Sequence, residues 1–262
     1  MTDETLTKVR EDLERDGFAV VRGVLSAVEV AEVSAAFDRL LERARTLDET
    51  TLVRARPDTD EGGTLFVLDA DPFRLHRVVW AGGVEPILAR YGDDPRFLAL
   101  ARAVLGVDAF DQLVQQAHYK LPHDGVSFAW HQDASNRRYG TDLWNDVDGR
   151  GSYVQIGLAV DPMGPDNGGL AFVRGSHRAG FVADPLTGAL PGPPPDRASV
   201  VAPELAAGDL ALFGPFTVHG SEPNTSDRSR RLFLQGYAVP GANARNYPGC
   251  GRGVRRFVRE VA

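Results

Sequence analysis

Two periods of hydrophobic pattern divide this chain. Near the start apolar residues recur every three or four positions: Leu6, Val9 and Leu13 share a helical face and Gly17 follows as a stop, which predicts a short amphipathic helix over residues 3–16. Phe18 to Arg22 then reads as a strand. Ser26 with Glu29 three residues later forms a capping box, and Val30, Val33, Phe37, Leu40 and Leu41 carry one apolar stripe to about Leu47. A further helix is bracketed by Asp94 as cap, Pro95 in its first turn and Gly106 past its end, with Phe97, Leu98, Ala101, Val104 and Leu105 facing inward.

From Gln112 onward the period shortens. Segments rich in Val, Phe, Leu and Tyr alternate with Gly, Pro, Asp and Asn clusters, which predicts an antiparallel sandwich or barrel. The expected strands are Leu113 to Lys120, Val126 to His131, Tyr153 to Val160, Leu170 to Arg174, Asp209 to Phe213, Phe216 to His219 and Arg231 to Val239. Helices early and strands late predict a mostly β, α+β protein: a jelly roll buttressed by N-terminal helices. In this reading one domain spans 1–262, with the helical buttress at about 1–110, the β core at about 111–240 and a C-terminal tail at 241–262. The Pro-rich stretch Leu190 to Pro203 reads as a surface loop inside the domain, and the insertion Ala134 to Ser152 as a candidate lid.

Composition narrows the function classes. At 262 residues, 43% hydrophobic and 25% charged, the chain is of ordinary globular type, and no apolar run approaches the ~20 residues of a membrane helix. Met1 to Gly17 mixes charged and apolar residues, which argues against a signal peptide, and the lone Cys250 has no partner for an internal disulfide. A cytoplasmic protein is expected. Net charge is −7 with both signs interspersed, so nucleic acid is not an expected partner, and nothing here bears on oligomeric state. Lys8 and Lys120 are the only lysines. The tail from Arg245 to Arg259 carries five arginines, which could clamp an anion or a partner subunit or be a solvated surface segment.

Chemistry concentrates in two motifs. Trp130-His131-Gln132-Asp133 is answered 88 residues later by His219-Gly220-Ser221, and eleven residues further on by Arg230. On an extended strand residues two apart share a face, so His131 and Asp133 can present an imidazole and a carboxylate to one point, and His219, at the end of another strand, can supply a third ligand. Two histidines and one carboxylate leave roughly three positions of an Fe(II) ion open, as a non-haem oxygenase requires. Arg230 can grip a cosubstrate carboxylate bidentately, worth about 1.5–3 kcal/mol; Arg231 would take its place if the register slipped by one. Arg137, Arg138, Tyr139 and Trp144 are candidate substrate contacts, or an ordinary surface lid. His76, His118, His123 and His177 are expected to be structural or exposed, and Phe110, Phe172, Phe213 and Phe216 to be core.

Four segments carry a family resemblance: Asp16-Gly17-Phe18-Ala19-Val20-Val21-Arg22-Gly23-Val24-Leu25-Ser26, Phe128-Ala129-Trp130-His131-Gln132-Asp133, Asn167-Gly168-Gly169-Leu170 with Gly175-Ser176-His177, and His219-Gly220-Ser221 through Arg230. Over about residues 16 to 239 the chain resembles the phytanoyl-CoA dioxygenase family, Fe(II)- and 2-oxoglutarate-dependent hydroxylases that include ectoine hydroxylases. The resemblance implies a double-stranded β-helix, iron on His131, Asp133 and His219, and 2-oxoglutarate on Arg230 with Ser221 and Phe128, while Gln116 stands where relatives often place another cosubstrate contact. It also implies use of O2 to hydroxylate an unactivated carbon of a small metabolite or natural-product intermediate, with release of succinate and CO2; Asp133 argues against halogenation. Two departures stand out. Arg174 replaces the usual proline before Gly-Ser-His, and strict alternation puts Phe128 on the face opposite His131 unless a bulge intervenes. Two rival readings are a non-catalytic β-barrel binding protein with a vestigial metal site, and a cupin-like metalloenzyme that does not use 2-oxoglutarate.

Overall fold

Side-chain caps set the helices where the apolar spacing predicts them. In the computed structural model, which describes residues 1–54, 63–185 and 187–258, helix α1 (Asp3–Asp16) is capped by Thr2 and closed by Gly17. Gly17 sits at φ 85°, and a Cβ there would lie 2.5 Å from His177 Nδ1, so only glycine fits. Strand β1 (Phe18–Val21) follows, then α2 (Ala27–Ala44) behind the Ser26–Glu29 capping box. The stripe of α2 buries Val33, Phe37 and Leu40. Full burial of such side chains contributes about 1.5–3 kcal/mol each.

Residues 48–93 carry three strands that the sequence reading left inside a helical buttress. β2 (Thr51–Val53), β3 (Thr64–Ala70) and β4 (Phe73–Val79) form an antiparallel meander, followed by a one-turn helix α3 (Pro86–Arg90). The buttress is therefore part helix and part sheet. Helix α4 (Pro95–Leu105) runs from its Asp94 cap to Gly106, as expected.

The β region begins earlier than predicted, with β5 (Ala109–Lys120), and continues through β6 (Phe128–His131), a one-turn helix α5 (Asp133–Arg137), β7 (Tyr153–Ala159) and β8 (Ala171–Val173). The Pro-rich stretch ends in a short strand β9 (Val200–Val201), followed by β10 (Leu210–Phe213). β11 is His219–Ser221, so His219 opens this strand instead of ending one; β12 (Arg230–Ala238) and β13 (Val254–Phe257) complete the set. Arg259 and the rest of the extreme tail lie outside the described residues.

The large sheet runs β1-β10-β7-β12-β5-β4-β3-β2, with β13 also on β5, and the small sheet runs β6-β11-β8-β9. Two antiparallel sheets built this way form the expected jelly roll, the double-stranded β-helix of cupin-like oxygenases. On the outer face of the large sheet Phe37 of α2 packs against Tyr119 at 5.2 Å and edge-on to Phe233 at 6.0 Å. Between the sheets Phe18 stacks on Phe172 at 4.6 Å, and Phe172 meets Phe213 at 5.3 Å. Phe110, Phe172 and Phe213 are core, whereas Phe216 is only half-buried. The other end of the sandwich opens into a cavity of about 660 Å³ lined from both sheets.

Candidate active site

The His-x-Asp pair is held by backbone that is extended for one residue longer than the strand. β6 ends at His131 and Asp133 starts α5, but Gln132 between them keeps φ −112° and ψ 133°, so both flanking side chains still project one way. Buried Gln132 locks this shape: its Nε2 donates to the carbonyls of Gly180 (2.8 Å) and Phe216 (2.7 Å), and its Oε1 accepts from the amides of Val182 (2.9 Å) and Ala183 (3.2 Å). His219 lies opposite His131 in the β11–β6 pairing, with ring centroids 4.2 Å apart. One ligand atom from each of His131, Asp133 and His219 falls within 4.8 Å of the others.

The donor set suits a divalent metal. His131 Nδ1 donates to the Ala129 carbonyl at 2.7 Å and His219 Nδ1 to the Thr217 carbonyl at 2.9 Å. A carbonyl only accepts, so each Nδ1 carries the proton and each Nε2 lone pair is left for a metal. Burial alone would raise the Asp133 carboxyl, yet His219, His131 and Arg137 beside it hold it below the usual carboxylate range. Burial pushes the His219 imidazole down to about 4, with His131 adding to the effect. Near neutrality the site thus offers the Asp133 carboxylate and the neutral imidazole of His219, the forms that bind Fe(II).

Arg230, the first residue of β12, is 1% exposed. Its Nε donates to the Gly168 carbonyl at 3.0 Å while its buried Nη1 has no partner. Gly168 is itself forced by crowding: at φ 70° a Cβ there would meet the Glu222 carbonyl oxygen at 2.5 Å and Lys120 at 2.9 Å. Arg231 points to the other face and is ion-paired with Asp161 and Asp38, each within 2.8 Å, so the register places Arg230 in the cavity. Ser221, Gln116 and Phe128 share that cavity wall. Phe128 reaches it through a bulge, since from the His131–His219 pair to the Phe128–Ser221 pair β6 advances three residues and β11 two.

The insertion after Asp133 divides. Arg137 lines the cavity, with its guanidinium 5.1 Å from the Tyr153 ring centroid and 4.8 Å from that of Tyr247. Arg138, Tyr139 and Trp144 do not line it: Arg138 ends α5 in the left-handed region, Tyr139 donates to Asp146 and packs edge-on against Phe181 and Phe216, and buried Trp144 donates to the Gly151 carbonyl. Arg174 also lies away from it, 3.3 Å from Asp16. His177 anchors its turn by donating to the Glu14 carbonyl.

Several cavity residues were not singled out in the sequence. Arg77 on β4 and Tyr247 line it, as does Arg245 from the arginine-rich tail, and His118, expected to be structural or exposed, is buried in the same wall. Lys120, opposite Arg230 in register, is fully buried and donates to Ser221 Oγ at 2.6 Å and to the Glu222 carbonyl; burial pushes its amine down to about 6. Its rarity was the available signal.

Burial, and then the charges of Arg77, Arg230 and Lys120, push the His118 imidazole well below its ordinary value of 6.5. The unfolded chain therefore binds a proton below about pH 6.5 that the native state does not, so stability rises with pH across that range and is lost on acidification. Thermal melts of the metal-free protein should fall as pH drops below about 6.5, with His118 and the likewise depressed His219 each costing up to ~1.4 kcal/mol per pH unit, and His118→Gln should remove the His118 share of the slope. An unchanged slope in that variant would remove His118 from the account.

Fold and chemistry together define the class, an Fe(II)- and 2-oxoglutarate-dependent dioxygenase. The chain belongs to the phytanoyl-CoA dioxygenase family, whose sequence model matches residues 13–232. It is 27% identical over 231 residues to an ectoine dioxygenase of Sphingopyxis alaskensis, covering 80% of this chain and 68% of that one. A phytanoyl-CoA dioxygenase domain-containing protein 1 of Bos taurus is 28% identical over 264 residues, covering 85% and 86%. Among solved structures, the epimerase SnoN in complex with Fe3+, alpha ketoglutarate and nogalamycin RO superposes with a TM-score of 0.67 at 23% identity, over 98% of this chain and all of that one. EctD from S. alaskensis with 2-oxoglutarate and 5-hydroxyectoine gives 0.67 at 24% identity, over 91% and 78%.

Proposed function

We propose that this dioxygenase hydroxylates an unactivated carbon of a small metabolite or natural-product intermediate, with iron on His131, Asp133 and His219 and 2-oxoglutarate on Arg230, Ser221, Phe128 and Gln116. The observation that carries this reading is one cavity holding both a cluster of three metal-type donors and, on a neighbouring wall, a buried guanidinium with an unused Nη1. Iron and 2-oxoglutarate, when bound, supply activated dioxygen for the oxidation, with succinate and CO2 as coproducts. The chain's own residues orient and exclude. The Ala129 and Thr217 carbonyls aim the imidazoles, and Gln132 fixes the turn into Asp133. Arg230 offers paired N–H donors to the far carboxylate of the oxo acid, and Ser221 a hydroxyl beside it. Leu170, Leu232 and Leu234 keep the intervening wall apolar, which limits water near the oxidising centre.

Adding Fe(II) and then 2-oxoglutarate under anaerobic conditions should produce a weak visible charge-transfer band. No band at saturating concentrations of both would refute the site assignment and favour a binding protein.

A further inference from the structure

The cavity's charges do not balance on Fe(II) and 2-oxoglutarate alone. Asp133 is the one carboxylate among the described residues that line it, against Arg77, Arg137, Arg230 and Arg245. On the reading above, a dipositive ion with Asp133 leaves one positive charge, and a dianionic oxo acid with Arg230 brings the running sum to zero. Three arginines remain, in a chain whose net charge is −7. Among the described residues the half-buried Arg77 side chain has no hydrogen bond or ion pair, and the Arg245 guanidinium donates only to the Asn136 carbonyl, at 3.0 Å, and lies 5.0 Å from the Tyr247 ring centroid.

Arg137 is the most exacting of the three. It is 6% exposed, and its Nε and Nη1 are buried without a hydrogen-bond partner. The phenol oxygen of Tyr247 and the hydroxyl of Ser135 are likewise buried and unpartnered, and both residues line the same cavity. Aromatic faces satisfy part of a guanidinium's charge but none of its N–H donors. Buried donors gathered on one wall and left unused are what an oxyanion needs. Arg137 lies one turn of α5 beyond Asp133, about 6 Å along the helix axis, and so within reach of a small molecule at the metal.

We propose that the substrate is an organic anion whose carboxylate or phosphate seats on Arg137, with Tyr247 Oη as a second donor and Arg77 and Arg245 supplying field. The proposal rests on the dioxygenase site assigned above and adds its substrate class. Neutral scaffolds would leave Arg137 buried and unpaired, so the cavity discriminates by charge.

The test is calorimetric titration of the anaerobic Fe(II)- and 2-oxoglutarate-loaded protein with phenylacetate, phenyl phosphate and phenylacetamide. At least one anion should bind about tenfold to a hundredfold more tightly than the amide, the tighter of the two identifying the oxyanion. Arg137→Met should erase that preference, and Arg137→Lys should keep part of it. Equal binding of anions and amide, no binding of either anion, or a preference that survives Arg137→Met would overturn the proposal. The charge-transfer band separates this outcome from the parent reading. It should persist in Arg137→Met, whereas its absence from the unsubstituted protein would defeat the iron and oxo-acid assignment itself.

Discussion

Replacement of Asp133 by alanine is expected to lower 2-oxoglutarate-dependent succinate release by at least about a thousandfold, some 4 kcal/mol of lost transition-state stabilisation. Asp133 supplies the only negative charge in the donor cluster, and what remains is two imidazoles with a lone pair each. Those imidazoles are aimed by backbone carbonyls and do not depend on Asp133 for orientation, so the variant isolates the carboxylate's contribution. Fe(II) affinity should fall together with turnover, as measured by metal content after gel filtration and by succinate release. Circular dichroism should be unchanged, because the only side-chain hydrogen bond given up among the described residues is the one from Asn136 at 3.2 Å. An Asp133→Ala protein that still bound Fe(II) within about threefold and still released succinate would move the metal elsewhere.

How much of this was legible in the sequence depends on how local the cause is. The juxtaposition of His131 and Asp133 was, because three extended residues suffice to bring them to one side. The turn into α5 at Asp133 was not, because Gln132 is held by Gly180, Val182, Ala183 and Phe216, partners at least 48 residues away. Which of Arg230 and Arg231 faces the cavity follows only from the register, which Asp161 and Asp38 fix by capturing Arg231 outside. The capped helices were readable from end to end, since Ser26–Glu29 and Asp94 to Gly106 are signals contained within each element.

Strand β4 and part of the polar cavity wall escaped for a shared reason. On β4 the face toward the cavity places Arg77 where a packed strand would place leucine, and on β5, which was expected as a strand, the same wall carries Gln116 and His118. Alternation then reads as a solvent face on both sides, or as no strand at all. Trp144 and Tyr139 misled in the opposite sense. Aromatic residues in an insertion suggested ligand contact, but Trp144 fills a small core with Leu113, Val114 and Tyr153, and Tyr139 pins the segment through Asp146. The stretch nearest the His131, Asp133 and His219 cluster is therefore held in place, and only its first turn, with Ser135, Asn136 and Arg137, faces the cavity.

Arg230→Ala should raise the KM for 2-oxoglutarate about tenfold to a hundredfold or more, matching the loss of a bidentate, charge-assisted contact worth about 1.5–3 kcal/mol. Fe(II) affinity should stay within a few-fold, since Arg230 begins β12 and the three donors sit on β6, α5 and β11. Arg230→Lys should recover only part of the loss: an ammonium restores charge but not the planar fork, and it would stand beside Lys120, which is opposite in register and already buried. The Gly168 carbonyl also loses its Nε donor in the alanine variant, so a modest fall in melting temperature should accompany the kinetic change. A cupin-like enzyme that oxidises its substrate without an oxo acid would show none of this KM dependence. Saturation curves of succinate release against 2-oxoglutarate decide the matter: a KM unmoved by Arg230→Ala would return that rival to first place.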